Sequence, residues 1–246
     1  MRVGVFDSGA GGLTVAKALL ENPLFDEIIY YGDTARVPYG PKDSNTIIRY
    51  GLEAIKFFNN FNIDLLITAC NTVSAYALDA MKDKASFPIY GVIEPGVWAL
   101  NSAIKDKESD ILIMATRATI NSKSYQNSLY NLDYKNITAI QTGMLVPIVE
   151  EGILEGRVLD EMLHYYFKEI AKPEAIILGC THFPLISNSI SKYFDNKPIL
   201  IDSAQAIVEY LKSKGYKDSP KTPTINIYAS DNVKGLREIA NKWLNY

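Results

Sequence analysis

Cysteine is nearly missing from this sequence: Cys70 and Cys180 are the only two among 246 residues. Two thiols form no disulfide framework and are too few for a thiolate-based zinc site, so both are expected to be reduced. Histidine is equally scarce, with only His164 and His182. No apolar run approaches the roughly 20 residues that span a bilayer. The opening MRVGVFDSGAGG has no charged stretch leading into an apolar one, so no signal peptide is expected. Positive charge is not in surplus either: 25 Lys and Arg stand against 28 Asp and Glu, a net charge of -3 with a pI near 5.5. That balance argues against a nucleic-acid partner, because phosphate contacts call for a basic excess. The expectation is a cytoplasmic protein that handles a small molecule, with neither membrane nor nucleic acid as partner.

What remains is ordinary globular material, 48% apolar and 22% charged, which excludes wholesale disorder. Short apolar runs alternate with segments of helical period. Strands are expected at 2–6, 27–31, 64–69, 88–92, 110–115, 137–141, 174–179, 198–201 and 224–229. Many read as unbroken Ile, Leu and Val, the mark of parallel strands buried on both faces. Between them, the segment 45–61 brings Ile47, Ile48, Leu52, Ile55 and Phe58 near one helical face. The alternation predicts an α/β class: doubly wound units with mostly parallel sheets.

A second regularity lies in the strand starts. Those at 2, 27, 64 and 88 return at 110, 137, 174 and 198, offset by 108, 110, 110 and 110 residues. Four offsets in register predict two similar α/β halves. The match is sharpest between DLLITACNT and EAIILGCTH, which sets Cys70 and Cys180 at equivalent places, each after a buried strand and opening a helix. Ligands of open α/β sheets bind at the carboxyl ends of strands, so two facing sheets would put the thiols on opposite walls of one cleft. The expected division is 1–94 plus 207–246 for the first domain and 95–206 for the second. The boundary falls within 92–109, through a helix at 95–105, and the segment 224–244 returns to the first half.

Several residues at these strand ends carry potential chemistry. Asp7-Ser8-Gly9-Ala10-Gly11-Gly12 follows the first strand, and its small side chains let backbone N–H groups approach a ligand; a tight turn is the alternative of equal weight. The loop lacks the Lys-Ser/Thr of a P-loop and does not fit G-x-G-x-x-G, which disfavours a nucleotide. Asp7 would suit a cationic group such as an ammonium. A lone cysteine is more often a small buried hydrophobe. Two in matched positions, followed by Asn71-Thr72 and Thr181-His182, favour a reactive pair able to act as nucleophile or base. His182 is placed to tune Cys180, whereas His164 lies in an apolar helical pattern and reads as packing or surface. Asp33 closes the second strand ahead of the turn-forming Val37-Pro38-Tyr39-Gly40. Glu150 reads by default as solvated surface, and Thr116 and Thr119 as helix caps. Trp98 and Trp243 fit either a core or an interface.

Taken together, FDSGAGGL, GDTARVPYG, TACNT, GVIEPG and LGCTHFPL resemble the glutamate racemases, cofactor-independent enzymes that supply D-glutamate for peptidoglycan. The likeness runs in order from Val5 to about Asp202. It implies two related α/β domains with the active site between them, no cofactor and no metal, glutamate as substrate and a homodimer. It further implies Cys70 and Cys180 as the acid/base pair, Cys70 taking the proton of D-glutamate and Cys180 that of L-glutamate. Asp7, Asp33, Glu150 and His182 would assist. Substrate contacts would fall on Asp7, Ser8, Tyr39, Gly40, Asn71, Thr72, Thr181 and His182, with Thr116 and Thr119 as further hydroxyls. The chain begins without the extension some bacterial members carry, so activation by a cell-wall precursor is not expected. Three rivals stay open. An aspartate racemase of the same superfamily would tend to carry Glu at the position of His182. A two-lobed binding protein would need no matched thiols. A nucleotide-dependent α/β enzyme lacks its phosphate loop here.

Overall fold

In the computed structural model, which describes residues 1–244, every expected strand forms, with ends shifted by at most a residue or two. The first half runs β1 (Arg2–Asp7), α1 (Leu13–Glu21), β2 (Glu27–Gly32), α2 (Ser44–Phe58), β3 (Leu65–Thr68), α3 (Asn71–Tyr76), α4 (Leu78–Lys82) and β4 (Ile89–Gly91). Helix α5 (Ile93–Ala103) then crosses to the second half: β5 (Ile111–Ala115), α6 (Arg117–Ser122), α7 (Ser124–Tyr130), β6 (Ile137–Gln141), α8 (Leu145–Glu150), α9 (Arg157–Phe167), β7 (Ala175–Gly179), α10 (Ser187–Tyr193) and β8 (Ile199–Asp202). The chain returns through α11 (Ser203–Ser213), β9 (Thr224–Ala229) and α12 (Val233–Leu244).

All strand pairs are parallel. The first sheet has the order β4-β3-β1-β2-β9 and the second, read the same way, β8-β7-β5-β6. Four strands thus repeat in one order in both halves, and β9 adds an edge to the first sheet beside β2, as the segment 224–244 was expected to do. Alternate strand residues face opposite layers of helix. Val3, Val5, Ile28 and Tyr30 meet α1, α11 and α12 on one side, while Phe6, Ile29 and Leu66 meet α2 and α3 on the other. The second sheet divides likewise: Leu112, Met114 and Ile176 pack on α8 and α9, Ile111, Ile113 and Ile177 on α5 and α7. Burial on both faces explains the unbroken apolar runs.

Local sequence sets the helix ends. Asp43 caps α2, its Oδ1 accepting from Thr46 N at 3.0 Å. That helix stops three residues short of the expected 61, where the Asn60 side chain donates to the carbonyls of Lys56 and Phe57. The crossing helix opens at Ile93 rather than 95, with Pro95 in its first turn, where its missing N–H costs nothing. A division at 206/207 would cut α11, which runs unbroken from Ser203 and packs Ala204, Ile207, Val208 and Leu211 into the core of the first sheet. The last two positions of the expected 207–246 segment lie outside the described residues. Among those described, no helix is long and apolar enough to cross a membrane.

Candidate active site

The carboxyl ends of β1, β3, β5 and β7 converge where the two halves meet. Around them lies a cavity of about 490 Å³, within the range of small-molecule sites. Ser8, Tyr39, Gly40, Cys70, Asn71 and Thr72 line it from the first half; Thr116, Glu150, Cys180, Thr181 and His182 line it from the second. Sequence spacing leaves its apolar wall unmarked: Met144, Val146 and Pro147 of the α8 segment face Val37 and Pro38.

The halves are joined by hydrogen bonds at the cavity rim. Ala118 N donates to Gly40 O at 3.1 Å, Arg117 to Pro41 O at 2.7 Å, and Thr14 Oγ1 to Thr181 O at 3.1 Å. The hydroxyls of Thr72, Thr116 and Thr119 form a triangle across the junction, with sides of 2.9, 3.1 and 3.2 Å. Thr119 forms its buried corner and does not reach the cavity. The glycines of the β1–α1 turn allow a close approach: a Cβ on Gly11 would stand 2.2 Å from Thr181 Oγ1.

Both thiols are free and buried. Cys70 sits immediately before α3, donating to Ser8 Oγ at 3.6 Å. Burial, with the Asp7 carboxylate adding to it, pushes this thiol up to about 12. Cys180 departs from the expected helix opening. The chain turns through Thr181 and His182 into a 3-10 turn, Phe183–Ile186, in which Pro184 has no N–H to give, and α10 starts only at Ser187. This turn points His182 between Cys180 Sγ, 3.6 Å from Nδ1, and Glu150 Oε1, 3.1 Å from Nε2. Burial alone would push the imidazolium down, but the bonds to Cys180 and Glu150 outweigh it and hold His182 up at about 10. Glu150 is therefore not idle surface: it closes α8 at the cavity and backs the histidine.

Two expected acids stand behind the wall instead of on it. Asp7 is fully buried, its Oδ2 accepting from Gly9 N at 3.0 Å and its Oδ1 without a partner. Burial raises its pKa, and the His182 charge and backbone N–H groups offset part of that rise. Its carboxylate acts on Cys70 and His182 through space and does not line the cavity, so it makes no wall for an ammonium. Asp33 is also buried and off the cavity, paired with Arg36 Nε at 2.7 Å and accepting from the Tyr39 hydroxyl. The Tyr39 hydroxyl is thus turned away from the cavity. Arg36, which no spacing rule singles out, also pairs with Glu53 and stacks on Tyr50 at 4.0 Å, tying the 33–41 loop to α2. His164 is exposed on α9, beside Tyr193, as its helical pattern suggested. Trp243 packs on the first core with its ring edge-on to His182 at 6.4 Å, and Trp98 lies edge-on to Tyr210 at 6.0 Å. No group of three or more His, Cys, Asp or Glu side chains among the described residues is placed to hold a metal ion.

The family model described as Asp/Glu/Hydantoin racemase matches residues 17–211. A glutamate racemase of a Nitratiruptor species is 58% identical over 245 residues, covering 99% of this chain and 96% of that protein. The crystal structure of glutamate racemase from Campylobacter jejuni superposes with a TM-score of 0.98 at 56% identity, covering 100% of this chain and 98% of that one. That of glutamate racemase from Francisella tularensis in complex with D-glutamate superposes with a TM-score of 0.88 at 32% identity, covering 100% and 94%.

Proposed function

The chain belongs to the Asp/Glu/Hydantoin racemase family, and from that membership we propose that it interconverts L- and D-glutamate by passing protons between Cys70 and Cys180. Relatives at 56–58% identity bear the name glutamate racemase, so the chain is an isomerase. The observation that carries the mechanism is one cavity receiving a thiol from the same strand end of each half.

Inverting an α-carbon requires a proton to leave one face and another to arrive on the opposite face. One cysteine enters as thiolate and takes the α-proton, and the C–H electron pair passes toward the α-carboxylate. The other, entering as thiol, gives its proton to the far face and ends as thiolate. Exchange with solvent then restores either starting state. In the L-to-D direction Cys180 is the base and Cys70 the acid; in the D-to-L direction the roles reverse. Without the substrate, Cys70 is the protonated partner, since burial and Asp7 hold its thiol up at about 12. The imidazolium of His182, backed by Glu150, supplies positive charge beside Cys180. Donors for the developing carboxylate charge are Ser8, Asn71, Thr72, Thr181 and nearby backbone N–H groups around the cavity. The reading needs no cofactor. It also makes the product D-glutamate a precursor for peptidoglycan and the protein a cytoplasmic homodimer.

Circular dichroism of D- or L-glutamate incubated with the pure protein tests it. The signal of either enantiomer is expected to decay to zero. A constant signal with glutamate, or decay with aspartate in its place, would overturn the assignment.

A further inference from the structure

Asn71 follows Cys70 in the cavity wall, and its side-chain amide is buried with only one end engaged. Oδ1 accepts from the Tyr125 hydroxyl at 2.7 Å, while Nδ2 has no partner. A side-chain amide has one accepting and one donating end, and a half-turn exchanges them with almost no change in shape. Whatever fixes that rotation decides whether a bound molecule meets a donor or an acceptor. Tyr125 belongs to α7, in the other half of the molecule, and its ring is held firmly. A Cβ on Gly96 or Gly179 would stand 3.3 or 3.4 Å from ring atoms. Gly179 directly precedes Cys180 and Asn71 directly follows Cys70, so one tyrosine abuts both thiol-bearing turns.

We infer that Tyr125 is a positioning residue of this site: its hydroxyl holds the Asn71 amide so that the N–H2 end meets a carboxylate of the substrate. The inference rests on the glutamate reading above. Two alternatives make different predictions. If the phenol turned its proton to neighbouring Ser203 and accepted one from the amide, the cavity would meet oxygen instead. If Tyr125 only filled the core and Asn71 merely satisfied its hydroxyl, substrate affinity would not depend on the phenol.

Steady-state racemisation of both enantiomers by Tyr125→Phe, Asn71→Ala, the double variant and Asn71→Asp separates these cases. Tyr125→Phe is expected to raise KM about tenfold in both directions, with kcat within about threefold, as for a lost ground-state hydrogen bond. The double variant should be no worse than Asn71→Ala, because the phenol acts only through the amide. Asn71→Asp should bind glutamate more weakly than Asn71→Ala, since the same phenol would then turn a charged oxygen toward the substrate carboxylate. Additive losses, an unchanged KM in Tyr125→Phe, or Asn71→Asp binding as well as wild type would each overturn the role. Should Tyr125→Phe fail to fold, an Asn71→Ala variant that binds glutamate as well as wild type would overturn the role on its own, because the phenol is held to act only through the amide. Wild type that leaves glutamate optically unchanged would remove the functional reading itself, whereas an active wild type with additive variants removes only the role of Tyr125.

Discussion

Cys70 and Cys180 occupy equivalent places in the repeat, yet their neighbours differ in charge. Cys70 has a hydroxyl and a buried carboxylate beside it; Cys180 has a histidine held by a glutamate. Cys70→Ala or Cys180→Ala should each abolish racemisation in both directions, because every turnover needs an acid and a base. Proton abstraction alone needs one thiol. A glutamate analogue that expels a β-leaving group after deprotonation should therefore react as its L form with Cys70→Ala and its D form with Cys180→Ala, and the reverse pattern would exchange the assigned roles. His182 sets a pH dependence of known sign. Its folded pKa lies near 10, above the ordinary 6.5, so the protonated ring is favoured by the fold. That stabilisation is complete below about 6.5 and is lost as pH rises toward 10. The melting-temperature advantage of wild type over His182→Asn should shrink across this window. An advantage that does not vary with pH would show that His182 acts by packing alone.

The elements that carry the site were legible where burial is uniform. Most of the central strands are unbroken apolar runs, so the runs, their offsets near 110 residues and the repeated strand order all follow from pattern. Positions at strand ends, including both cysteines and the hydroxyls near them, followed from topology. The Cys180 turn was misread as a helix start because one proline and the pull of His182 toward Glu150 decide it locally. Asp33 was expected to assist the thiols; the ion pair with Arg36 and the Tyr39 hydroxyl hold its carboxylate behind the loop, off the cavity. Tyr125 stands 54 positions from the amide it binds, a distance that no helical or strand period connects. The contact between the β1–α1 turn and the Thr181 turn depends on the missing side chain of Gly11. Gly11→Ala forces these turns apart, and it should cost about 1–3 kcal/mol of stability in urea unfolding and more than tenfold in racemisation. Wild-type activity in that variant would show that the two turns are free to move.

At the scale of the whole molecule, two sheets of the same strand order each present one thiol to a shared cavity, the arrangement on which the proposed chemistry rests. Both connections between the halves are helices, α5 and α11, which pack on the same side of the junction. A thiol-alkylating reagent must enter the cavity to reach either sulfur, so saturating glutamate should slow inactivation several-fold. Equal rates with and without glutamate would place the reactive thiol outside the site. The central claim is that one thiol removes the proton and a different one returns it. Wild-type protein turning over either enantiomer in heavy water tests this directly, read as deuterium at the α-carbon of the inverted product early in the reaction. The donating thiol has already exchanged with solvent, so nearly every inverted molecule should carry deuterium, and substantial return of the original proton would contradict a two-thiol mechanism.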